Sequence, residues 1–420
     1  MASTRRARLV IEPRVAKAGT LRLAATLHHP DGSSDQLWWD VPETVSGDLT
    51  DWADPWVVGL LFPMMRAGNP VHIEGRVSPS LLANLEQFMR IWQCWRPDRY
   101  RPVDLSADSE VALPPAARPG STLASFSCGV DACFTVFRHQ NGLAGRRSRR
   151  IDAAVVQHGM DIWLDRQNTD GVYGEMLSHA RTMLGSLGIR CIPIRTNFQT
   201  LRLEWADAWG TQLASGMGLF ARGYDAALLA NDMPYRWRQF AWAHHPMTVP
   251  LLAARGFSLI DDGGEATRAE KAQLISAWPE AMNLLHVCFG VDEPGRYRNC
   301  CRCEKCVRTI IAFRIAGSPT PAAFRHDPTD DEIRKIRLGG SGTTRYERWA
   351  ELLAGAEAAG LGGTSWAKAI RDVLVRYRRR QATASLKKPF VPLRNAVRRF
   401  FRGSAKSRSQ IAAERNKRPA

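Results

Sequence analysis

Residues 121–132 read Ser-Thr-Leu-Ala-Ser-Phe-Ser-Cys-Gly-Val-Asp-Ala. The short apolar run at 121–126 gives way to small residues, and an apolar helical pattern follows over 132–140. A strand that passes through a small-residue turn into a helix is the unit from which parallel sheets are built. The unit recurs downstream, with strands expected at 153–157, 190–194, 224–230 and 257–260 and helices at 172–187, 205–220 and 267–276. Apolar strands alternating with helices predict an α/β fold, a mostly parallel sheet with helices on both faces. In such sheets ligands bind at the carboxyl ends of the strands, where loops run into helix N-termini.

On the N-terminal side, strand-like runs at 8–11, 21–27 and 36–40 are separated by turn residues. Helices are expected over 56–65 and from an N-cap at Ser78, with Pro79 behind it, to about 95. The Pro-rich segment Leu-Pro-Pro-Ala-Ala-Arg-Pro-Gly at 113–120 closes an N-terminal α+β domain, 1–115. The α/β domain takes 116–320, a helical extension 321–380 and a basic tail 381–420.

The chain has 420 residues, 58 Lys and Arg against 41 Asp and Glu, and a net charge of +17. From Arg371 onward there are 16 basic and two acidic residues, so +14 belongs to the last 50 residues and +3 to the rest. Within that tail Leu393, Val397, Phe400 and Phe401 share one helical face, and Arg394, Arg398, Arg399 and Arg402 the other. A basic amphipathic helix of this kind suits RNA phosphates or an anionic membrane surface, while the plain alternative is a solvated tail. No run of 18 apolar residues exists and no apolar core follows the N-terminal arginines, so neither a membrane span nor a secretory leader is expected.

The turn at 125–132 aims backbone N–H groups and a helix dipole at one point, which suits phosphate oxygens. Gly129 permits close approach and Ser127 offers a hydroxyl. Asp131 then either caps the helix or helps hold Mg²⁺ between phosphates; an ordinary βα turn with an Asp cap is the alternative. His158 follows the second strand at a carboxyl end. Thr267 and Glu270 have capping-box spacing, and Arg268 and Lys271 fall in that helix's first turn. Positive charge there opposes the helix dipole, so the pair needs an anion to face. The Trp-rich stretch 237–242 reads as packing, with Trp242 the candidate for stacking on a purine.

Of nine cysteines, five fall between 288 and 306. Cys288, Cys300, Cys303 and Cys306 have the spacing of a closed tetrahedral Zn²⁺ site, structural because no position is left for water. An Fe–S cluster takes the same four thiolates, but nothing nearby indicates redox chemistry. Cys301 is the spare. Such a site fits a reducing compartment, the cytoplasm.

Ser127, Gly129 and Asp131 resemble the S-G-G-x-D-S loop of the PP-loop ATP pyrophosphatase superfamily, with Cys128 at the first Gly and Ala132 at the second Ser. With the cysteine pattern that follows, the chain is similar to 7-cyano-7-deazaguanine synthases and their zinc-containing relatives, whose N-C-G-R-C-E-K-C-x-R-T signature reads Asn-Cys-Cys-Arg-Cys-Glu-Lys-Cys-Val-Arg-Thr at 299–309. The likeness covers 121 to about 316. It implies an adenine-nucleotide-hydrolase-like fold and an ATP and Mg²⁺ site at Ser125, Ser127, Cys128, Gly129, Val130, Asp131, Ala132 and His158. Asp131, Arg268 and Lys271 are the expected catalytic groups. The implied reaction adenylates a carboxylate or amide of a small-molecule or sugar substrate, releases pyrophosphate, and ends in nitrogen or sulfur transfer. Losing the loop hydroxyl at 132 costs about 1–2 kcal/mol of nucleotide binding, so a PP-loop scaffold without catalysis is the alternative function.

Overall fold

The structure, a computed structural model, describes residues 6–160, 162–164, 169–237, 241–288, 297–339 and 344–386. The basic amphipathic segment at 393–402 lies outside these residues. In chain order the first elements are β1 (Ala7–Ile11), β2 (Val15–Lys17), β3 (Thr20–His28), β4 (Ser34–Pro42), α1 (Asp54–Gly59), α2 (Leu61–Ala67), β5 (Val71–Val77), α3 (Pro79–Trp95) and β6 (Leu105–Glu110). There follow β7 (Thr122–Ser125), α4 (Val130–Gln140), β8 (Ile151–His158), α5 (Thr169–Ser186), β9 (Arg190–Thr196), α6 (Trp205–Gly218), β10 (Ala226–Ala230) and β11 (Ser258–Asp262). The C-terminal helices are α7 (Arg268–Ile275), α8 (Pro279–Leu284), α9 (Glu304–Ile315), α10 (Asp330–Lys335), α11 (Thr344–Ala358) and α12 (Ser365–Leu386).

Among the described residues the eleven strands lie in one mixed sheet, in the order β11-β10-β7-β8-β9-β4-β3-β1-β5-β6, with β2 beside β3. The α/β fold with helices on both faces is therefore present. Strands β11, β10, β7, β8 and β9 are mutually parallel. The N-terminal unit does not form a sheet of its own. It joins through an antiparallel pairing of β4 with β9, Trp39 opposite Thr196 and Asp40 opposite Arg195. Asn197 prolongs that ladder with its side chain, accepting from the Trp38 N–H at 2.8 Å and donating to the Gln36 carbonyl at 2.9 Å.

Alternate residues along the parallel strands face two separate cores. Ala153 and Val155 of β8 pack with α1, α2, α3 and α6 on one face, among Val57, Phe62, Phe88, Trp92 and Met217. Ala154 and Val156 pack with α4, α5, α7, α9 and α11 on the other, among Val136, Met183, Ile275, Phe313 and Trp349. The period of two in a strand makes this double coverage possible, and it is why these strands read as unbroken apolar runs.

The chain leaves β7 through α4 to β8, then through α5 to β9, and returns through α6 on the opposite face to β10, on the far side of β7. Between β7 and β10 the winding reverses, so the loops at their carboxyl ends part and leave a crevice.

One expectation is corrected. The apolar stretch at 56–65 is not one helix but two, α1 and α2, broken at Leu60; Pro63 has no N–H to give the carbonyl four residues back. Strands β5 and β6 are not expected from the sequence: Gly75 interrupts β5, and β6, Leu-Ser-Ala-Asp-Ser-Glu, carries only Leu105 and Ala107 on its apolar face.

Candidate functional site

The turn after β7 places Gly129 at the N-cap of α4, in extended conformation at φ −84° and ψ 165°. Asp131 is therefore not the cap; it lies in the first helical turn with its carboxylate free to face a partner. Cys128, before the cap, sits in the left-handed region at φ 57°. That conformation costs a residue with a Cβ about 1–2 kcal/mol and a glycine almost nothing. The Cys128 side chain is fully buried, and burial pushes its thiol well above the ordinary range. It is a packing group rather than a thiolate nucleophile. The turn is held by its carbonyls: Cys128 accepts from the His286 N–H at 2.9 Å and Ser127 from the Tyr297 hydroxyl at 3.4 Å. Ser127 itself is exposed, Ser125 and Ala132 are buried, and Val130 opens α4.

Across the crevice, α7 opens with the expected capping box: Thr267 Oγ1 accepts from the Glu270 N–H, and Glu270 accepts from the Thr267 N–H. The cap fixes the first turn, which carries Arg268 and Lys271 on one face. Both are buried, at 9% and 3% exposure. Their anion is Asp131. Arg268 Nη1 donates to Oδ2 at 2.7 Å and Lys271 Nζ to Oδ1 at 2.8 Å. Burial alone would raise the Asp131 carboxyl, but Lys271 and Arg268 overcome it and hold the group well below the usual carboxylate range. Lys271 also donates to the Asn231 carbonyl beyond β10 at 2.6 Å, and Arg268 to Thr309 Oγ1 on α9 at 3.2 Å. Residues from the ends of β7 and β10, from α7 and from the cysteine-rich segment thus meet at one point.

Four further groups complete the site, and the sequence reading missed them. Asp232, just past β10, accepts from Trp242 Nε1 at 3.2 Å and from Arg348 of α11 at 2.8 Å. Arg308 of α9 is buried and held at 2.9 Å by Glu304; burial lowers it to about 10, still a cation at neutral pH. Glu351 of α11 accepts from the Arg268 backbone N–H at 3.2 Å and pairs with Arg236 at 2.8 Å. The recess they enclose with Asp131, Arg268 and Lys271 measures about 10 Å³, roughly one water. Asp232 has a positional signal, since it stands two residues past the end of β10 in the parallel set. Arg348 and Glu351 have none, because 344–358 reads only as an amphipathic helix. Trp242 points its indole N–H at Asp232, so it serves the site as a donor.

His158 is corrected from a loop residue to the last residue of β8, 1% exposed. Its ring stacks on Tyr173 at 4.3 Å, and Nδ1 lies 3.9 Å from the Asp170 carboxylate. Burial, helped by Arg195, lowers it to about 4. Among the described residues it makes no hydrogen bond or ion pair with Asp131, Arg268 or Lys271. Gly159, next in the chain at φ 98°, lets the backbone pass Thr196; a Cβ there would lie 2.1 Å from the Thr196 carbonyl oxygen.

The four expected cysteines converge. One sulfur from each of Cys288, Cys300, Cys303 and Cys306 lies within 4.8 Å of all the others. The sulfurs of Cys288 and Cys303 are 3.7 Å apart, those of Cys300 and Cys306 3.9 Å. A tetrahedron with metal–sulfur bonds of about 2.3 Å has edges of about 3.8 Å, so the donor set fits a metal ion such as zinc. Backbone N–H groups point at the sulfurs, Cys303 to Cys300 at 3.2 Å and Cys306 to Cys303 at 3.4 Å, with Cys303 capping α9. Hydrogen bonds from Cys303 and Cys306 lower the Cys288 thiol, and the same crowding raises that of Cys306; a cation among them relieves the conflict. Asn299 ties the two ligand segments together through the Val287 N–H and the Leu285 carbonyl. Cys301 points elsewhere, to the Asn299 carbonyl at 3.4 Å.

Among the described residues no helix is long and apolar enough to cross a membrane. No protein-family model matches the chain, and no curated protein matches it.

Proposed function

We propose that the chain is an ATP-binding protein of the PP-loop ATP pyrophosphatase superfamily, similar to 7-cyano-7-deazaguanine synthase. The observation that carries the reading is the meeting of Asp131, Arg268 and Lys271 between the carboxyl ends of β7 and β10, where a parallel sheet binds its ligands. Bound ATP with Mg²⁺ would supply an activated α-phosphoryl group, on which a carboxylate or amide oxygen displaces pyrophosphate before a nitrogen or sulfur nucleophile displaces AMP. Ser127, Gly129 and the first N–H groups of α4 are the neutral donors for phosphate oxygens. Arg268 and Lys271 are the cations that neutralise charge as pyrophosphate leaves, and Asp131 holds them in place until then. Zinc at Cys288, Cys300, Cys303 and Cys306 pins α9, and with it Arg308 and Thr309, against the crevice. The tail from 381 is the contact for RNA or an anionic membrane surface, in a cytoplasmic protein.

A second reading has its own observation. The recess is closed to about one water and every carboxylate in it is already paired, which suits a scaffold that kept the fold and lost nucleotide. Cys128 and Ala132 decide between the two. Pyrophosphate release and ATP binding are measured for the wild-type chain and for the double variant Cys128→Gly/Ala132→Ser. ATP-dependent pyrophosphate release by wild type supports the enzyme; binding by the double variant alone establishes the scaffold.

A further inference from the structure

Helix α11 lies beyond residue 316, outside the part of the chain that resembles a known family, yet it enters the crevice at two points. Arg348 reaches Asp232 at 2.8 Å, and Glu351 accepts from the first N–H of α7 at 3.2 Å. Between them Trp349, fully buried, donates to Glu304 at 2.9 Å, the carboxylate that also holds Arg308. Helix α11 is thereby keyed to α7, α9 and the end of β10 together.

Four cations line the recess, Arg268, Lys271, Arg308 and Arg348, against three carboxylates, Asp131, Asp232 and Glu351. The excess is one positive charge in a space for about one water. A phosphate group does not fit unless a pair opens. The pairs differ in how readily they can. Arg268 and Lys271 are 9% and 4% exposed in their side chains, and both grip the same carboxylate. Arg348 and Asp232 are 14% and 28% exposed and share a single contact. Among the pairs made by the four cations of the recess, that of Arg348 is closest to water, so it opens first.

We propose that Arg348 is a polyphosphate-binding residue delivered by the C-terminal extension, exchanging Asp232 for phosphate oxygens when ligand enters, with α11 tightening over the occupied crevice. A guanidinium is suited to the exchange because its fork accepts a carboxylate or a phosphate with the same geometry. The inference rests on the nucleotide-binding reading above but assigns a residue and an element which that reading does not.

Binding of MgATP and of inorganic pyrophosphate to the full chain is measured by titration calorimetry for wild type, Arg348→Ala, Arg348→Lys, Arg268→Ala and, as an exposed control on the same helix, Glu347→Gln. Arg348→Ala is expected to weaken both ligands about ten- to a hundred-fold, with Arg348→Lys between it and wild type and Glu347→Gln unchanged. Hydrogen exchange over 344–358 in the wild-type chain is expected to slow on adding pyrophosphate, a response that a merely structural Arg348 does not produce and that needs no variant to fold. Wild-type affinity in Arg348→Ala with weakened binding in Arg268→Ala overturns the inference and leaves the nucleotide reading standing. Unchanged exchange over 344–358 at saturating pyrophosphate overturns it as well. No binding of either ligand by wild type overturns both.

Discussion

Replacing Lys271 by Met removes one of the two cations on Asp131 while keeping the length of the side chain. At 2.8 Å and an effective dielectric of about 20, the lost attraction is roughly 6 kcal/mol before solvation is counted. Much of that offsets the cost of burying the charges, so the net worth of the ion pair is far smaller. The variant nevertheless leaves Asp131 with one cation in a desolvated crevice, and breaking a buried pair in this way typically costs about 3–5 kcal/mol. The Asp131 side chain is 21% exposed, which places the expectation at the low end, about 3 kcal/mol. Asp131→Asn costs a comparable amount, because it strands Arg268 and Lys271. The double variant Asp131→Asn/Lys271→Met should cost less than the sum of the two by about 2 kcal/mol. Urea unfolding of the four proteins, followed by far-UV circular dichroism, gives each value. A loss below about 1 kcal/mol for Lys271→Met, or a coupling energy near zero, refutes the claim that this carboxylate is what places two cations in the first turn of α7.

The remaining expectations concern the metal and the sheet. Purified protein should carry one zinc per chain by elemental analysis, and Cys303→Ser, which removes a ligand and the cap of α9 together, should lose the metal and lower the melting temperature; a metal-free wild type of unchanged stability contradicts the site. His158, lowered to about 4 by burial, is protonated more readily in the unfolded chain, so its contribution is intact above the unfolded value near 6.5 and is lost as pH falls from there to about 4. That loss is at most about 3 kcal/mol, and His158→Phe should flatten the melting-temperature profile between pH 6.5 and 4; an unchanged slope would show that the ring titrates freely. Gly159→Ala puts a methyl 2.1 Å from the Thr196 carbonyl oxygen at φ 98° and should cost more than about 2 kcal/mol, read from the same urea titrations; a neutral result would mean that β8 and β9 separate easily there.

The α/β half was legible because its strands are covered on both faces, so that 153–157 and 224–230 stand out as apolar runs between helical patterns. Arg268 and Lys271 were legible for the opposite reason: they break a local rule, two cations at the positive end of a helix, and the structure supplies the anion. The cysteines were legible from spacing alone. What the sequence hid was long-range. That β4 would pair with β9 depends on an edge left open at the end of the parallel set and on the Asn197 side chain, neither of which has a local signature. His158 misled because a histidine after a strand looks like a loop residue unless one knows that Tyr173 stacks on it.

The charge in the crevice bears on which function the fold can support. A site with four cations and three paired carboxylates attracts an anion only as strongly as that anion outcompetes the carboxylates. A single phosphate offers little beyond what Asp131 and Asp232 already provide at 2.7–2.8 Å. A triphosphate spreads its charge over several oxygens and can satisfy Arg268, Lys271 and Arg348 at once, repaying the opening of more than one pair. On the proposed nucleotide-binding reading, these pairs favour polyphosphate over monophosphate, and AMP is expected to bind far more weakly than pyrophosphate. A scaffold descended from the same fold has no reason to preserve that ranking, so comparing AMP with pyrophosphate by calorimetry separates the two functions without knowledge of the substrate; equal affinities, or none, would leave the four cations with only a structural role.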